Sequence, residues 1–388
     1  MRHVVFLANL LFSFSLAITA YINSSYIASG VGTRAVGMVY MASAILTIYV
    51  LSRACPTLGK VGNRRYFLLY AGIHALSLFI LALPVGAYGH ALALMTYIVS
   101  ASALYFSFDI FFEHTTETRG RGKSRGLYLA LSNCGWVIAP LCTATILDRY
   151  GYGGIYAIAL FVFLFLVYIL QTGLRKYQDP KYTPHKTRML LGEVWKAPTL
   201  RTVVLANFIL QIFYAWMVVY VPIYLSQNLG LSWDIIGFIF AIMLTSFVIL
   251  DYPLGRLADW IGSEKELAAI GFIIMAMSLF GFALIPHPTI AAVGVLMLLS
   301  RIGAATVETM TEIHFFKIVS IENPMYVSLF RDLNPLANVI TPVIALTAFS
   351  LLTFRHSFAA FGCILIIGFV ATFFMEQKRA WWVREHTL

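Results

Sequence analysis

Charged residues inside long apolar segments are the part of this 388-residue sequence that is best placed to do chemistry. Arg301, Glu308 and Glu312 share one such segment. At about 100° per residue their side chains point within about 20° of one line on a helix, with Arg301 about 10 Å from Glu308 along the axis. Asp109 and Glu113 lie one turn apart in an earlier segment. If the segments cross a membrane, these charges are costly to bury and are therefore candidates for function.

The chemistry of these charges allows two interpretations. In the functional one, Arg301 holds an anionic group of a substrate, while Glu308 or Asp109 binds a coupling proton, because an apolar cavity favours the uncharged carboxyl. In the structural one, Glu113 and Glu312 lie near the membrane surface and pair with Lys or Arg residues. We favour function for Arg301 and Glu308. We favour pairing for Glu113 and Glu312, and Asp109 fits both interpretations equally.

Other polar residues accompany these charges. Asp251 lies near the end of another apolar segment, where a gating or structural role fits better than substrate binding. With Arg331, Glu113 and Glu312 it forms a candidate charge network. A last group of polar residues lies on two further apolar segments and either lines a cavity or bonds between packed helices. Its members are Asn9, Asn207, Gln211 and Tyr214.

The elements that must position these residues are membrane-spanning helices. Sixty per cent of the residues are hydrophobic and 11% are charged, whereas about a quarter are charged in soluble domains. A span needs about 20 mostly apolar residues. The hydropathy pattern predicts an all-α integral membrane protein of twelve spans, at 4–22, 33–52, 66–87, 91–114, 126–147, 152–174, 202–225, 234–254, 266–285, 289–317, 327–352 and 356–375.

Lys and Arg are distributed unequally between the connections. Of 27 such residues, 23 fall on the side that holds both termini, which we call the basic side. Arg34, Arg149 and Arg355 fall on the other side, and Arg301 lies within a span. Basic connections stay in the cytoplasm. The distribution therefore predicts a multi-pass cell-membrane protein with both termini cytoplasmic, and it attributes the net charge of +10 to topology rather than to nucleic-acid binding.

Short matches at an offset near 200 residues indicate two homologous halves. Leu7-Ala8-Asn9 recurs as Leu205-Ala206-Asn207, and Ala139-Pro140 is matched by Thr341-Pro342. Six spans in each half give both halves the same orientation, related by a pseudo-two-fold axis along the membrane normal. We predict a first half at 1–174, a cytoplasmic linker at 175–201, a second half at 202–376 and a tail at 377–388.

The connection after the eighth span reads GRLADWIGSEK from Gly255 to Lys265. It resembles the G-x-L-A-D-x-x-G-x-x-K signature of the major facilitator superfamily, at the place where that family carries it. The first-half counterpart, from Pro56 to Arg65, has Gly59 where the acid of the signature would stand. The resemblance implies a twelve-helix, two-half transporter in which this loop locks the outward-open state. The implied gating residues are Gly255, Asp259, Gly262 and Lys265 in the second half, and Gly62, Arg64 and Arg65 in the first.

Known catalytic and cofactor motifs do not occur in the sequence. A phosphate-binding GxxxxGK[ST] loop, HExxH and GxSxG are all missing, and the four cysteines form no metal-binding pattern. We therefore predict a monomeric secondary active transporter, not an enzyme, that moves a small solute by alternating access and without metal or cofactor. Proton coupling is expected. Export is favoured by a likeness of Gly135–Pro140 to an antiporter element.

A second hypothesis comes from a different functional class. Because the first-half signature is incomplete, the protein is alternatively a non-transporting membrane receptor or assembly protein on a transporter scaffold. Saturable flux would distinguish the two.

Overall fold

A computed structural model gives the architecture of the chain. It describes residues 1–20, 22–23, 26–27, 30, 33–116, 121–175, 177–179, 182, 192, 194–286, 288–319 and 324–375. Within these ranges the regular secondary structure is helical. The helices, in chain order, are α1 Arg2–Ala20, α2 Thr33–Ser52, α3 Ala54–Val61, α4 Asn63–Ala82, α5 Ala87–Thr115, α6 Arg121–Gly173, α7 Pro198–Ile223, α8 Trp233–Ile261, α9 Glu264–Leu284, α10 Ile290–Ile318, α11 Pro324–Leu351 and α12 Phe354–Phe373.

The helices confirm the predicted class, an all-α integral membrane protein with two sets of six spans. Ten helices in the described part of the chain are long and apolar enough to cross a membrane, or eleven when a pair bent by 45°, Met38–Ser52 and Ala54–Val61, is counted as one span. The predicted fifth and sixth spans both lie in α6, which is interrupted at Gly151 (φ 65°). Most predicted and observed ends agree within a few residues; the tenth span, predicted at 289–317, is α10. The predicted end of the eighth span at 254 is wrong, because α8 continues to Ile261. Gly255 and Asp259 of the signature, called the second-half loop below, therefore lie within the helix.

Proline lies inside several spans, among them the two that flank the 224–232 connection. Pro222 lies in the last turn of α7, and a π-helical turn, Tyr224–Asn228, follows that helix directly. Pro253 lies within α8. Proline removes one helical hydrogen bond and bends or ends a helix. The carboxyl end of α7 is therefore irregular where it enters the 224–232 connection, whereas Pro253 lies in the second half of α8.

Residue contacts divide the chain into two compact units. The first comprises Met1–Thr116, Leu131–Thr187 and Ile321–Pro335, and the second comprises Glu117–Ala130, Arg188–Ser320 and Leu336–Leu388. The domain boundaries given above stay predictions. Of the connection 175–201 the structure describes only 175, 177–179, 182, 192 and 194–201, and the tail 377–388 lies outside the described residues.

Aromatic side chains fill the core of each unit. In the first unit Phe12 of α1 stacks on Phe108 of α5, with 5.1 Å between ring centroids. In the second, Trp216 of α7 stacks on Phe361 of α12 at 3.8 Å. Lipid is as apolar as these rings, so close packing and dispersion, rather than removal from water, stabilise the arrangement.

Candidate functional site

Helix α10 carries the predicted row of charges and packs closely against α9. A Cβ atom on Gly271 would collide with the backbone oxygen of Gly303, so glycine at this crossing lets the two backbones approach. The amino end of α10 is capped by Thr289, whose hydroxyl accepts a bond from the Ala292 amide at 3.2 Å. These contacts fix the rotation of α10 within the second unit.

Arg301 is buried, with 4% of its surface exposed. Its guanidinium lies 5.6 Å from the ring centroid of Phe213 and 5.8 Å from that of Tyr214, both on α7. Its Nε lies 3.5 Å from the sulfur of Met243 on α8. A guanidinium over aromatic faces is attracted by the electrons of the rings, more strongly when it is removed from water. The second unit thus holds a cation among soft, polarisable groups.

Glu308 lies two turns after Arg301 and meets the same tyrosine. The Tyr214 hydroxyl donates to Glu308 Oε2 at 2.7 Å. The next residue, Thr309, donates to Asp251 Oδ1 at 2.9 Å, and Asp251 is almost completely buried. Three helices, α7, α8 and α10, therefore bring one cation, two acids and one phenol together.

The polar residues expected to line a cavity lie on different helices. Asn207 of α7 donates to the hydroxyl of Thr311 on α10 at 3.4 Å, and Gln211 donates to the Asn207 side-chain oxygen at 3.4 Å. These two residues extend the row from Tyr214 along α7. Asn9 is buried on α1 and belongs to the first unit.

In the second-half loop, Asp259 contacts the amino end of α6. Its carboxylate accepts bonds from the backbone amides of Gly122 (3.1 Å) and Lys123 (2.7 Å). An anion at a helix amino terminus is favoured by the unpaired amides and by the helix dipole. A Cβ on Gly255 would collide with the backbone oxygen of Gly122, so this glycine permits the contact.

A second set of charges lies beside Asp259. Lys317 Nζ is 3.6 Å from Asp259 Oδ1 and 2.5 Å from Glu264 Oε1. His314 Nδ1 is 3.3 Å from the other oxygen of Glu264. Lys265, predicted as part of the gating loop, is 3.8 Å from Glu266. The lysine next to the motif acid therefore comes from α10. Gly262 adopts a left-handed conformation (φ 69°) and ends α8.

The first-half loop receives an acid from outside its own motif. Asp179, which follows α6, accepts a bond from the Asn63 amide at 2.7 Å, at the amino end of α4. A Cβ on Gly62 (φ 79°) would collide with the Asp179 carboxylate. The Tyr182 hydroxyl donates to Asp179 Oδ1 at 2.8 Å. Burial first, and then the nearby Tyr177 and Asp179, raise the pKa of the Tyr182 hydroxyl, so it remains a hydrogen-bond donor.

The two basic residues of the first-half loop have different environments. Arg64 donates two bonds to the Gln171 side-chain oxygen, at 3.0 and 3.1 Å. Arg65 is exposed. Arg64 therefore ties the start of α4 to the end of α6.

Two ion pairs each contain one residue of the candidate charge network, Glu312 in one and Arg331 in the other. In the second unit, Arg125 of α6 binds Glu312 of α10, and both side chains are 2% exposed. In the first unit, Arg331 of α11 binds Asp109 of α5 at 2.6 Å, with exposures of 26% and 3%. Glu113, one turn after Asp109, is also buried.

Sequence reasoning missed several residues of these networks, among them Lys317, which like Arg125 was counted only with a connection. Arg125 was counted with a connection, although an unbalanced acid at 312 on the inner face of α10 was a signal that a cation must meet it. Glu264, His314 and Asp179 gave no signal beyond their residue type, because their partners are distant in sequence.

Comparison with known proteins agrees with this architecture. The sequence matches the family model of the Major Facilitator Superfamily over residues 5–311 and 203–387. No curated protein matches it.

Three solved structures are similar to the chain, each with a TM-score of 0.75. The human organic anion transporter MFSD10 (TETRAN) is 13% identical, and the alignment covers 96% of this chain and 98% of that protein's chain. The proton:xylose symporter XylE is 14% identical, covering 97% and 96%. A bacterial homologue of the iron transporter ferroportin is 13% identical, covering 97% and 98%. At these identities the structures show the fold alone, and the family match carries the assignment: the chain belongs to the Major Facilitator Superfamily.

Proposed function

We propose that this protein is a proton-coupled secondary transporter that moves a small anionic solute by alternating access. Membership of its family supports secondary transport in general. The observation that carries the finer proposal is the cluster of Arg301, Tyr214 and Glu308, in which a cation and an acid contact the same half-buried phenol.

Arg301 supplies the anion site. A guanidinium among rings and a thioether keeps its charge and favours a planar, two-oxygen partner such as a carboxylate. One structural neighbour is described as an organic anion transporter, which agrees with this substrate class.

Glu308 supplies the proton site. A carboxyl in apolar surroundings takes up a proton more readily than one in water. It can therefore load from one side of the membrane and release to the other as its exposure changes. Another neighbour is described as a proton symporter. Asp109, the other acid considered for this role, is bound to Arg331 and fits a structural ion pair better.

The second-half loop supplies a gate. The bonds from Asp259 to the first turn of α6, with Lys317 and Glu264 beside them, stabilise one state of the transport cycle. These bonds must break for the other state to form. Their strength therefore sets part of the barrier between the two states.

The remaining features follow the sequence argument. Both termini lie in the cytoplasm and the protein resides in the cell membrane, because 23 of 27 basic residues fall on the side of the termini. The protein acts as a monomer, and export is favoured by the Gly135–Pro140 element.

The test is proton flux into proteoliposomes that contain a pH-sensitive dye. Purified protein is challenged with pools of acids, sugars, amino acids and cationic drugs, and Glu308→Gln is compared with the wild type. The matched control is Glu266→Gln, which makes the same change at an exposed position. We expect flux with the acid pool that is lost in Glu308→Gln and kept in the control.

Substrate affinity provides the second readout. Arg301→Ala should weaken binding of the active acid at least tenfold, whereas Arg149→Ala, at an exposed position, should leave it unchanged. Coupled flux that survives in Glu308→Gln contradicts the proton site. No flux with any pool favours the receptor alternative.

A further inference from the structure

Tyr214 is the one side chain that contacts both charges of the candidate site among the contacts described above. Its ring faces the Arg301 guanidinium at 5.8 Å, and its hydroxyl donates to Glu308 at 2.7 Å. Arg301 and Glu308 are about 10 Å apart along α10, and the Tyr214 phenol from α7 contacts both of them.

We propose that Tyr214 is a positioning residue that couples anion binding at Arg301 to protonation of Glu308, so that anion and proton bind together. This inference rests on the proposed function and adds the sign of the coupling. It assigns no catalytic role to Tyr214, because the proton passes between water and a Glu308 carboxylate oxygen.

The first step is the resting arrangement. Arg301 lies over the Tyr214 ring and restricts its rotation, which keeps the hydroxyl aligned with Glu308. A hydroxyl that donates to a carboxylate stabilises the charged form. With Arg301 on the ring, Glu308 is therefore held without its proton.

The second step is the arrival of an anion. A carboxylate offers the guanidinium two charge-assisted bonds and is a stronger partner than an aromatic face. As the guanidinium turns to the anion, the Tyr214 ring is released and its bond to Glu308 weakens. The neutralised cation also stops favouring the Glu308 charge. Both effects make the charged form of Glu308 less favourable, and Glu308 takes up a proton.

The charged groups around Glu308 act on its carboxyl in opposite directions. Asp251 of α8 binds Thr309, next to Glu308, and its negative charge opposes a second one. Tyr214 of α7 and Arg301 of α10 favour the charged form.

The sign of the coupling defines the class of transport. Linkage is reciprocal, so a proton on Glu308 strengthens anion binding by the same factor. Ligands that strengthen each other cross together, which is cotransport. An exchanger needs the opposite sign, because each ligand must displace the other. The inference therefore argues against the exchange that the Gly135–Pro140 likeness to an antiporter element favours.

The test measures protonation directly and needs no substrate. Dicyclohexylcarbodiimide, an apolar reagent, modifies protonated carboxyls, and mass spectrometry of the Glu308 peptide reports labelling at each pH in the full-length protein. We expect labelling to fall as pH rises. In Tyr214→Phe, which keeps the ring over Arg301, the midpoint should rise by about one unit, because one bond to the charged form is lost.

Two further variants decide whether Tyr214 is the link. Arg301→Gln imitates a neutralised guanidinium and should raise the midpoint in the wild-type background. In the Tyr214→Phe background the same change should raise it by about half as much, since the path through the hydroxyl is already gone. Tyr220→Phe, on the same helix and packed on Trp216, is the control and should leave the midpoint unchanged.

Three results would overturn the inference. Equal shifts from Arg301→Gln in both backgrounds mean that the two residues act independently. A lower midpoint in Arg301→Gln means the opposite sign, and no labelling from pH 5 to 9 means that Glu308 stays charged. Since no solute is added, a failed flux assay contradicts the proposed function without deciding the role of Tyr214.

Discussion

The two loops that carry the family signature place a carboxylate at a helix amino terminus in different ways. In the second half, the motif's own Asp259 binds the first turn of α6. In the first half, Gly59 occupies the acid position, and Asp179 from the connection after α6 binds the first turn of α4. A Cβ on Gly59 would meet open space, so packing does not forbid a side chain there.

The comparison shows that a signature that lacks its acid in the sequence can obtain one in the folded protein, from a residue outside the signature. The two acids are nevertheless held differently. Asp259 extends from a long helix and has Lys317 beside it, whereas Asp179 lies on a connection and is held through Asn63 and Tyr182. We therefore expect the second-half contacts to contribute more to stability than their first-half counterparts.

The largest effect is expected at the buried ion pair of the second unit. Glu312→Gln removes the carboxylate that binds Arg125 and leaves a guanidinium in a site that is 2% exposed. The free energy of unfolding should fall by about 3 kcal/mol or more, measured as thermal unfolding in detergent. Arg125→Met combined with Glu312→Leu removes both charges and should restore most of the loss. A single variant as stable as the wild type would contradict the expectation.

Asp109→Asn is the matching change in the first unit, and its effect should be smaller. The Arg331 side chain is 26% exposed, so water can solvate the guanidinium when the carboxylate is lost. We expect the free energy of unfolding to fall by about 1–2 kcal/mol, again measured as thermal unfolding in detergent. Asp148→Asn, at an exposed position of α6, is the control. If Asp109→Asn costs as much as Glu312→Gln, burial does not explain the difference between the pairs.

The helices and the charged face of α10 could be predicted from the sequence for a simple reason. Apolar runs of span length identify a membrane helix without knowledge of its neighbours. Arg301, Glu308 and Glu312 share one face through their spacing alone, since rotation per residue is fixed by helix geometry. Both inferences use information that is local in the chain.

The partners across helices could not be predicted in the same way. Glu308 meets Tyr214, which is 94 residues away, and Arg125 meets Glu312, 187 residues away. Such pairs depend on how helices pack, and a single sequence carries no signal of that kind. The contact of Asp179 with the start of α4 is harder still to predict, because Asp179 lies in a connection without helical periodicity.

Asp259→Ala tests the acid that the second-half motif supplies. The amides of Gly122 and Lys123 lose their acceptor, although water reaches this partly exposed site and replaces some of the bonding. The free energy of unfolding should fall by about 1 kcal/mol, as it does when other acids at helix amino termini are removed. Hydrogen exchange of the first turn of α6 should become faster, while exchange in α4 stays unchanged. Equal exchange in variant and wild type would show that Asp259 does not hold this turn.

Asp179→Ala is the smallest change and tests the acid that replaces the missing one. Its carboxylate is exposed and accepts one backbone hydrogen bond, from Asn63. We therefore expect the free energy of unfolding to fall by about 0.5 kcal/mol. Faster exchange should be confined to the first turn of α4, and Gln178→Ala, the exposed neighbour, should have no effect. Tyr182→Phe should reproduce part of the change, because its hydroxyl orients the carboxylate. If exchange in α4 does not respond to Asp179→Ala, the connection only lies near that helix, and the two loops are not equivalent in space.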